Sequence, residues 1–390
     1  MSERADVLVV GAGLAGLHTA TRLAERGHEV VLAERRVRQA AAIRTTGIFV
    51  RKTLDDFGLP EDCLGPPIRR VRLYPPDGRH PVTLLSERDE FRVGDMGRLY
   101  ERLAHDAVRA GVEVRLGTRY VGRQGDGFLL QDRHGLRLLR ARFVVGADGA
   151  RSRVAVDLGL DRNRHLLAGA EEVYDTSAVV EPTFHCVIDP LVAPGYLAWV
   201  VNDGRHAHVG LAGYPDRFAR GLREAMEQFA GQGASLAGLD RPDQVQRRAG
   251  LIPVGGLLRR ISSRKGLLVG DAAGAVSPLT AGGLDPCLRL SDHAVDVLDA
   301  ALRSGRPEQV RAFDGADLRA RFTGRLLMRR ALASVRHRST AQAVFTALRW
   351  PPGRAAARHI IFGDRSFPEV GTPHPTRRRS STVGERPVHR

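Results

Sequence analysis

Apolar residues come first in unbroken runs along this chain and only later in alternation. Val7-Leu8-Val9-Val10 and Val30-Val31-Leu32-Ala33 are short continuous stretches, the pattern of strands covered on both faces, and a helical run up to Gly27 separates them. The spacing next predicts a helix over 50–57 closed by Gly58, then strands at 68–74 and 81–84 around the turn Pro75-Pro76-Asp77-Gly78. A helix over 97–110 follows, with Leu99, Leu103, Ala107 and Ala110 on one face and Gly111 ending it. Residues 112–116 alternate as a strand, which completes a crossover onto the first sheet. Val121, 128–130 and 136–138 form a small meander, broken by Gly125-Asp126-Gly127 and Arg133-His134-Gly135, that delivers the chain to a strand over 141–146. From 165 to 262 the pattern is β-rich, at 183–188, 196–201 and 206–212, with a helix over 215–229. Residues 266–269 read as a last parallel-type strand. Helices then run to about Phe362, including a basic stretch over 317–338. From Ser366 on, Pro, Arg, Ser and Thr crowd together as in a disordered tail.

The first of these segments carries specific chemistry. Between its strands stands Gly11-Ala12-Gly13-Leu14-Ala15-Gly16, and the second strand ends on Glu34, 23 residues after Gly11. Strand, G-x-G-x-x-G, helix, strand and terminal acid form the complete dinucleotide-binding fingerprint. Gly11 makes the tight turn, Gly13 lets a pyrophosphate approach the helix N-terminus, and Gly16 lets the helix lie close on the sheet. Glu34 accepts from an adenosine ribose and would repel a 2′-phosphate, which points to FAD or NAD over NADP. Two further strand ends repeat the theme. Asp148-Gly149 closes the strand over 141–146, and Gly270-Asp271 closes the last one, where a carboxylate can accept from ribityl hydroxyls.

Composition narrows the partners. With 390 residues, 43% of them hydrophobic, the chain is long enough for two or three domains, and no stretch of 18 apolar residues or signal-like leader occurs, so a cytoplasmic protein is expected. Three scattered cysteines, Cys63, Cys186 and Cys287, suggest packed thiols, and no metal-ligand spacing is found. The formal charge of +16 comes largely from arginine spread through the chain. Aromatics make up only 5% and do not interleave with the basic runs, so no nucleic-acid partner is expected. Weak contact with an acidic membrane surface is the partner to which the basic helical stretch points, although an ordinary packed helix with a solvated basic face has the same pattern.

Taken together, these motifs resemble the FAD-dependent oxidoreductases of the aromatic-hydroxylase (group A flavin monooxygenase) and geranylgeranyl-reductase superfamily over residues 5–300. The run Gly270-Asp271-Ala272-Ala273-Gly274, followed by Pro278-Leu279-Thr280-Ala281-Gly282-Gly283-Leu284, is similar to that of the reductase branch. The resemblance implies an α/β protein with a Rossmann-like, GR2-type FAD domain in three segments (1–65, 94–160, 263–315). It further implies an inserted β-rich substrate domain (66–93, 161–262), C-terminal helices (316–365) and a basic tail (366–390). It implies non-covalent FAD held by Gly11–Gly16, Glu34, Arg35, Arg44, Thr45, Val121, Asp148, Gly149, Gly270, Asp271, Pro278, Gly282, Gly283 and Leu284, with NAD(P)H as transient reductant. Arg44 would approach the phosphates or the flavin edge, and the Val121 backbone the adenine.

Departures from the family pattern bear on the reaction. The reductase branch usually carries a cysteine in the loop that here reads Thr45-Thr46-Gly47, and its Tyr-x-Trp-x-Phe-Pro signature survives only as Tyr196-Leu197-Ala198-Trp199-Val200-Val201-Asn202. Where hydroxylases place a histidine after Asp-Ala-Ala, this chain has Gly274. The favoured expectation is therefore an NAD(P)H-dependent monooxygenase on a small hydrophobic substrate of the natural-product kind, with the small residues 272–275 and Gly282-Gly283 leaving room for oxygen at the ring. The alternatives are a reductase of isoprenoid double bonds, or a basic binding protein with structural FAD. No general acid or base is assigned, and His185, His206 and His208 read as structural histidines. Asp285-Pro286 is expected to be the N-cap and first residue of a helix running to Leu302.

Overall fold

The computed structural model describes residues 3–38, 43–176, 181–239 and 244–363. Strand β1 (Glu3–Val10), helix α1 (Leu14–Ala24) and strand β2 (Val30–Glu34) realise the opening pattern. There follow β3 (Ile48–Val50), α2 (Arg51–Asp56), β4 (Arg70–Tyr74), β5 (Val82–Leu85), β6 (Phe91–Val93), α3 (Met96–Arg109) and β7 (Glu113–Leu116). The meander comprises β8 (Arg119–Gln124), β9 (Gly127–Asp132) and β10 (Gly135–Gly146), the last merging two expected strands into one. Then come α4 (Arg153–Asp157), β11 (Leu166–Asp175), β12 (Thr183–Val187), β13 (Ala198–Asn202), β14 (His206–Gly213), α5 (Leu222–Leu236) and β15 (Gln244–Pro253). The remaining elements are β16 (Ser262–Ser263), β17 (Gly266–Leu268), α6 (Leu284–Ser304), α7 (Ala316–Ser334), α8 (Arg338–Arg349) and α9 (Pro351–Phe362).

Two large sheets result. The first has the order β16-β17-β10-β1-β2-β7, with β9 and β8 continuing from β10, and its β17, β10, β1, β2 and β7 are parallel neighbours. Val7 to Val10 and all of β2 are buried because α1 and its neighbours α3 and α6 cover a sheet whose other face is also occupied. All three glycine-rich turns follow the C-terminal ends of strands β1, β10 and β17, which pair side by side in parallel, where ligands gather in open α/β sheets. The second sheet has the order β15-β11-β14-β13-β12-β4-β5 and is antiparallel except where β4 joins β12. Residues 70–85 thus leave the first body and complete the second.

Two sequence expectations shift. The helix expected over 215–229 starts late: Pro215–Arg217 form a 3₁₀ turn, Gly221, at φ +88°, interrupts the chain, and α5 begins at Leu222. The sheet then dictates where α5 lies, because Val209 of β14 fits so closely against Gly233 that a Cβ there would come within 2.2 Å. The basic stretch over 317–338 is split between α7 and α8. Residues 39–42 and the tail over 366–390 lie outside the described residues. Among those described, no helix is long and apolar enough to cross a membrane.

Candidate functional site

The fingerprint loop is built against its own strand. Gly11 has φ +102°, and a Cβ on it would sit 2.4 Å from the carbonyl oxygen of Ala147; one on Gly16 would sit 1.8 Å from that of Gly11. At Gly13 a Cβ meets nothing within 4 Å, so open space lies at the N-terminus of α1, whose cap Gly13 offers no side-chain acceptor to the first-turn N–H groups. Glu34 is buried and its carboxylate accepts from Ala12 N at 3.0 Å and from Arg36 N at 2.9 Å, so the acid and the loop hold one another. Glu34→Ala is expected to weaken FAD binding by about 1–3 kcal/mol, through two backbone donors and a ribose left without their acceptor. Titration of apoprotein with FAD measures it, and an unchanged Kd would remove Glu34 from the site.

The other two strand ends converge on this loop. Asp271 is raised to about 6 by burial, with the positive charge of Arg44 opposing the shift. No donor among the described residues bonds its carboxylate, and a Cβ on Gly283 would lie 3.6 Å from its Oδ1. Arg44 is depressed by burial and by Arg36 and Arg35, with the charges of Glu34 and Asp271 opposing the shift. Asn163, which carried no sequence signal, donates from Nδ2 to Ala150 O (3.1 Å) and Asp271 O (2.8 Å) and so pins the second and third turns together. Asp148 uses Oδ2 to accept from the N–H groups of Arg153 and Val154, capping α4. Gly149 and Gly270 take positive φ. Val121 lies on β8, beside Gly122. Thr45 accepts from Arg248 Nη1 on its carbonyl oxygen and from Gly47 N–H on its hydroxyl. Open space at Gly13, a half-buried Asp271 whose carboxylate has no donor among the described residues and an engaged Glu34 fit the phosphates, ribityl chain and ribose of a flavin dinucleotide.

The first turn of α6 corrects the expected cap. The helix begins at Leu284 with Gly283 as N-cap, so Asp285 lies inside the first turn. Its carboxylate accepts from Thr53 Oγ1 at 2.8 Å and from Arg289 Nη2 at 2.9 Å, a buried ion pair completed by Asp56 at 2.7 Å from Arg289. Asp285 therefore braces α6 against α2.

Small residues 272–275 also differ from expectation. Ala272, Ala273 and Ala275 are buried in the core of the first body, and a Cβ on Gly274 would sit 2.6 Å from Gly256 O. They pack against protein, and no histidine could stand at Gly274. On α7, two arginines turn inward. Arg325 bonds Ser277 Oγ at 2.8 Å beside the 278–284 run, and Arg329 donates to Gly195 O and stacks over Tyr196 and Tyr214. The helix is thus anchored by buried cations as well as by its buried apolar residues Leu318 and Phe322. Cys63, Cys186 and Cys287 are free and buried.

A buried polar cluster, invisible in the sequence, faces the loop over 43–48. Glu171 on β11 accepts from the Thr46 hydroxyl, from Trp199 Nε1 (3.2 Å) and from Arg248 (3.1 Å), and lies 3.3 Å from His208 Nδ1. His208 Nε2 is 3.0 Å from Asp203 Oδ2. The partners sit on β11, β13, β14, β15 and two loops, and only the sheet register brings them together. His185 is different: it pairs with the Tyr74 hydroxyl at 2.9 Å, and burial, with Arg72 adding to it, pushes it down to about 4.

Comparison with known proteins agrees with this geometry. The model of the FAD binding domain family matches residues 4–289. A digeranylgeranylglycerophospholipid reductase of Methanosarcina acetivorans is 29% identical over 342 residues, 78% of this chain and 77% of that protein. One from Methanothrix thermoacetophila is 30% identical over 323 residues, covering 77% and 79%. Among solved structures, a geranylgeranyl bacteriochlorophyll reductase-like protein of Thermoplasma acidophilum superposes with a TM-score of 0.81 at 19% identity, over 94% of this chain and 98% of that one. The p-nitrophenol 4-monooxygenase of Pseudomonas putida superposes with 0.69 at 19% identity, over 94% and 99%. At those identities the structures speak for the fold, and the sequence matches speak for the family. With its three turns, its Glu34 lock and these matches, the chain belongs to the FAD-dependent oxidoreductases of the aromatic-hydroxylase and geranylgeranyl-reductase superfamily.

Proposed function

We propose that the protein is a flavin-dependent reductase of carbon–carbon double bonds in a hydrophobic, isoprenoid-type chain. One observation carries the reading: relatives named as digeranylgeranylglycerophospholipid reductases align with about three quarters of the chain, through both sheets. The site supports it in a second way, since Ala272, Ala273 and Ala275 pack into the core and leave room for oxygen only at Gly282-Gly283, which weakens the case for a monooxygenase. FAD, when bound, supplies hydride chemistry, and a nicotinamide reductant recharges it. The chain's own part is to hold the nucleotide with Gly11–Gly16 and Glu34, to set Arg44 and Asp271 at its middle, and to present Thr45 and Thr46 to the cleft.

The oxygenase reading keeps its support in the fold shared with a monooxygenase, in Thr45-Thr46-Gly47 where the reductase branch usually has a cysteine, and in the altered aromatic signature over 196–202. Reduced enzyme mixed anaerobically with a geranylgeranyl-bearing phospholipid in detergent is expected to give products heavier by two hydrogens per double bond. Oxygen consumption with oxygen found in an aromatic or polyketide product, and no anaerobic reduction, would hand the function to the monooxygenase class.

A further inference from the structure

From the buried cluster we infer a proton line that runs from solvent at His206, through Asp203, His208 and Glu171, to the hydroxyl of Thr46. It rests on the proposed reduction for its purpose, since hydride addition to an alkene must be completed by a proton. The contacts are continuous. His206 Nδ1 lies 3.4 Å from Asp203 Oδ2, the same oxygen lies 3.0 Å from His208 Nε2, His208 Nδ1 lies 3.3 Å from Glu171 Oε1, and the other oxygen of Glu171 holds Thr46. Only the ends reach outward: the His206 side chain is 32% exposed, whereas those of His208, Glu171 and Asp203 are 3%, 5% and 6% exposed. Thr46 is partly exposed, two residues from Arg44 and next to Thr45.

Charge within the cluster suits the task. Arg248 and the His208 imidazolium face the two carboxylates Glu171 and Asp203, and Trp199 Nε1 and the backbone N–H groups of Arg205 and His206 complete the ring of donors. Burial alone would discharge His208, but its hydrogen bonds and charge interactions with Asp203 and Glu171 raise it to about 9. A proton is therefore stored there at neutral pH, between two acceptors. A purely structural salt bridge needs only one acid, and nothing about strand packing requires a histidine bonded at both nitrogens to end on a partly exposed threonine hydroxyl.

The transfer balances as follows. Hydride from the reduced flavin forms a C–H bond at one alkene carbon, and the π pair is left at the other. The Thr46 O–H proton forms the second C–H bond. For this the Thr46 O–H turns from Glu171 toward the alkene, His208 Nδ1 gives its proton to the Glu171 carboxylate, the neutral carboxyl passes a proton to the Thr46 oxygen as that oxygen releases its own, and His208 is recharged through Asp203 and His206 from water. Thr46 would touch substrate, and Glu171 and His208 act through it.

The test has two independent arms. In oxidised holoprotein, ¹⁵N resonances of the His208 imidazole should show it protonated on both nitrogens at neutral pH, and His206→Phe should slow exchange of its N–H protons with solvent by about tenfold or more. An unchanged exchange rate, or a neutral His208 at pH 7, overturns the line whatever the enzyme's reaction. In single turnover with pre-reduced protein, Thr46→Val and His208→Gln should slow double-bond reduction by about a hundredfold, the scale of positioned proton transfer. FAD content and flavin reduction should stay unchanged, Thr46→Ser should restore the rate, and the wild type should show a solvent isotope effect that Thr46→Val loses. Full activity of Thr46→Val would also overturn the line. If the wild type reduces no alkene, the reductase reading falls while the imidazole arm still decides the line.

Discussion

Gly16→Ala is expected to purify without FAD. The added methyl would lie 1.8 Å from the carbonyl oxygen of Gly11 and 3.2 Å from the Ala147 side chain, and the first contact is with backbone that cannot rotate away. α1 must lift from β1, which costs about 1–3 kcal/mol of stability as overpacking. It also displaces the N-terminus on which the phosphates rest, so binding should fall by about a thousandfold, or about 4 kcal/mol. Absorbance of flavin in the purified variant and calorimetric titration with FAD measure both effects. Gly13→Ala separates them, because its methyl enters open space in the protein alone: thermal stability should hold while flavin is lost. A yellow, wild-type-like Gly16→Ala protein would mean that the loop is not packed as described.

Arg289→Ala should be the most damaging change away from the cleft. The guanidinium is buried, bonds Asp285 and Asp56, and lies with its carbon 5.4 Å from the centre of the Phe57 ring. Without it two carboxylates remain, one of them deeply enclosed, and the loss should be about 3–5 kcal/mol. The pH dependence has a defined sign. Burial already raises Asp285, with Arg289 opposing it, and loss of Arg289 raises it further. A group whose folded pKa lies above its unfolded value favours the protonated fold, so the penalty should grow as pH rises through the folded pKa and shrink toward acid. Denaturant melts at pH 5 and pH 8 would show it, and Asp285→Ala/Arg289→Ala should be more stable than Arg289→Ala alone. Equal losses at both pH values would mean that the pair is solvated.

Much of the nucleotide half was legible because its determinants are local. Continuous apolar runs, a glycine spacing and one acid are all written within residues 6–34, and each has a backbone or charge reason to be there. The cluster around Glu171 was not legible, since its members come together only through the pairings of β11 with β14 and β15 and of β13 with β14. β11 itself carries Gly169, Glu171 and Glu172, which hide its strand pattern, and both glutamates are buried because the sheet supplies their partners. Asp285-Pro286 looked like a cap for the same local reasons that made the fingerprint readable. A buried arginine one turn later recruited the carboxylate instead, and Gly283 was left as the cap.

The parallel seam between β4 and β12 has a consequence for how the chain reaches its native state. Thr183 pairs with Arg70 and Val187 with Tyr74, while β1 waits for β10, with Glu3 opposite Leu139. Neither body can close on a contiguous stretch of newly made chain, since each has a strand whose partner lies more than a hundred residues away. Such distant closures slow the search and leave unpaired edges exposed while it lasts. The outer edge of β4 must stay unpaired until residues beyond 183 emerge, so the seam is a latch that closes late.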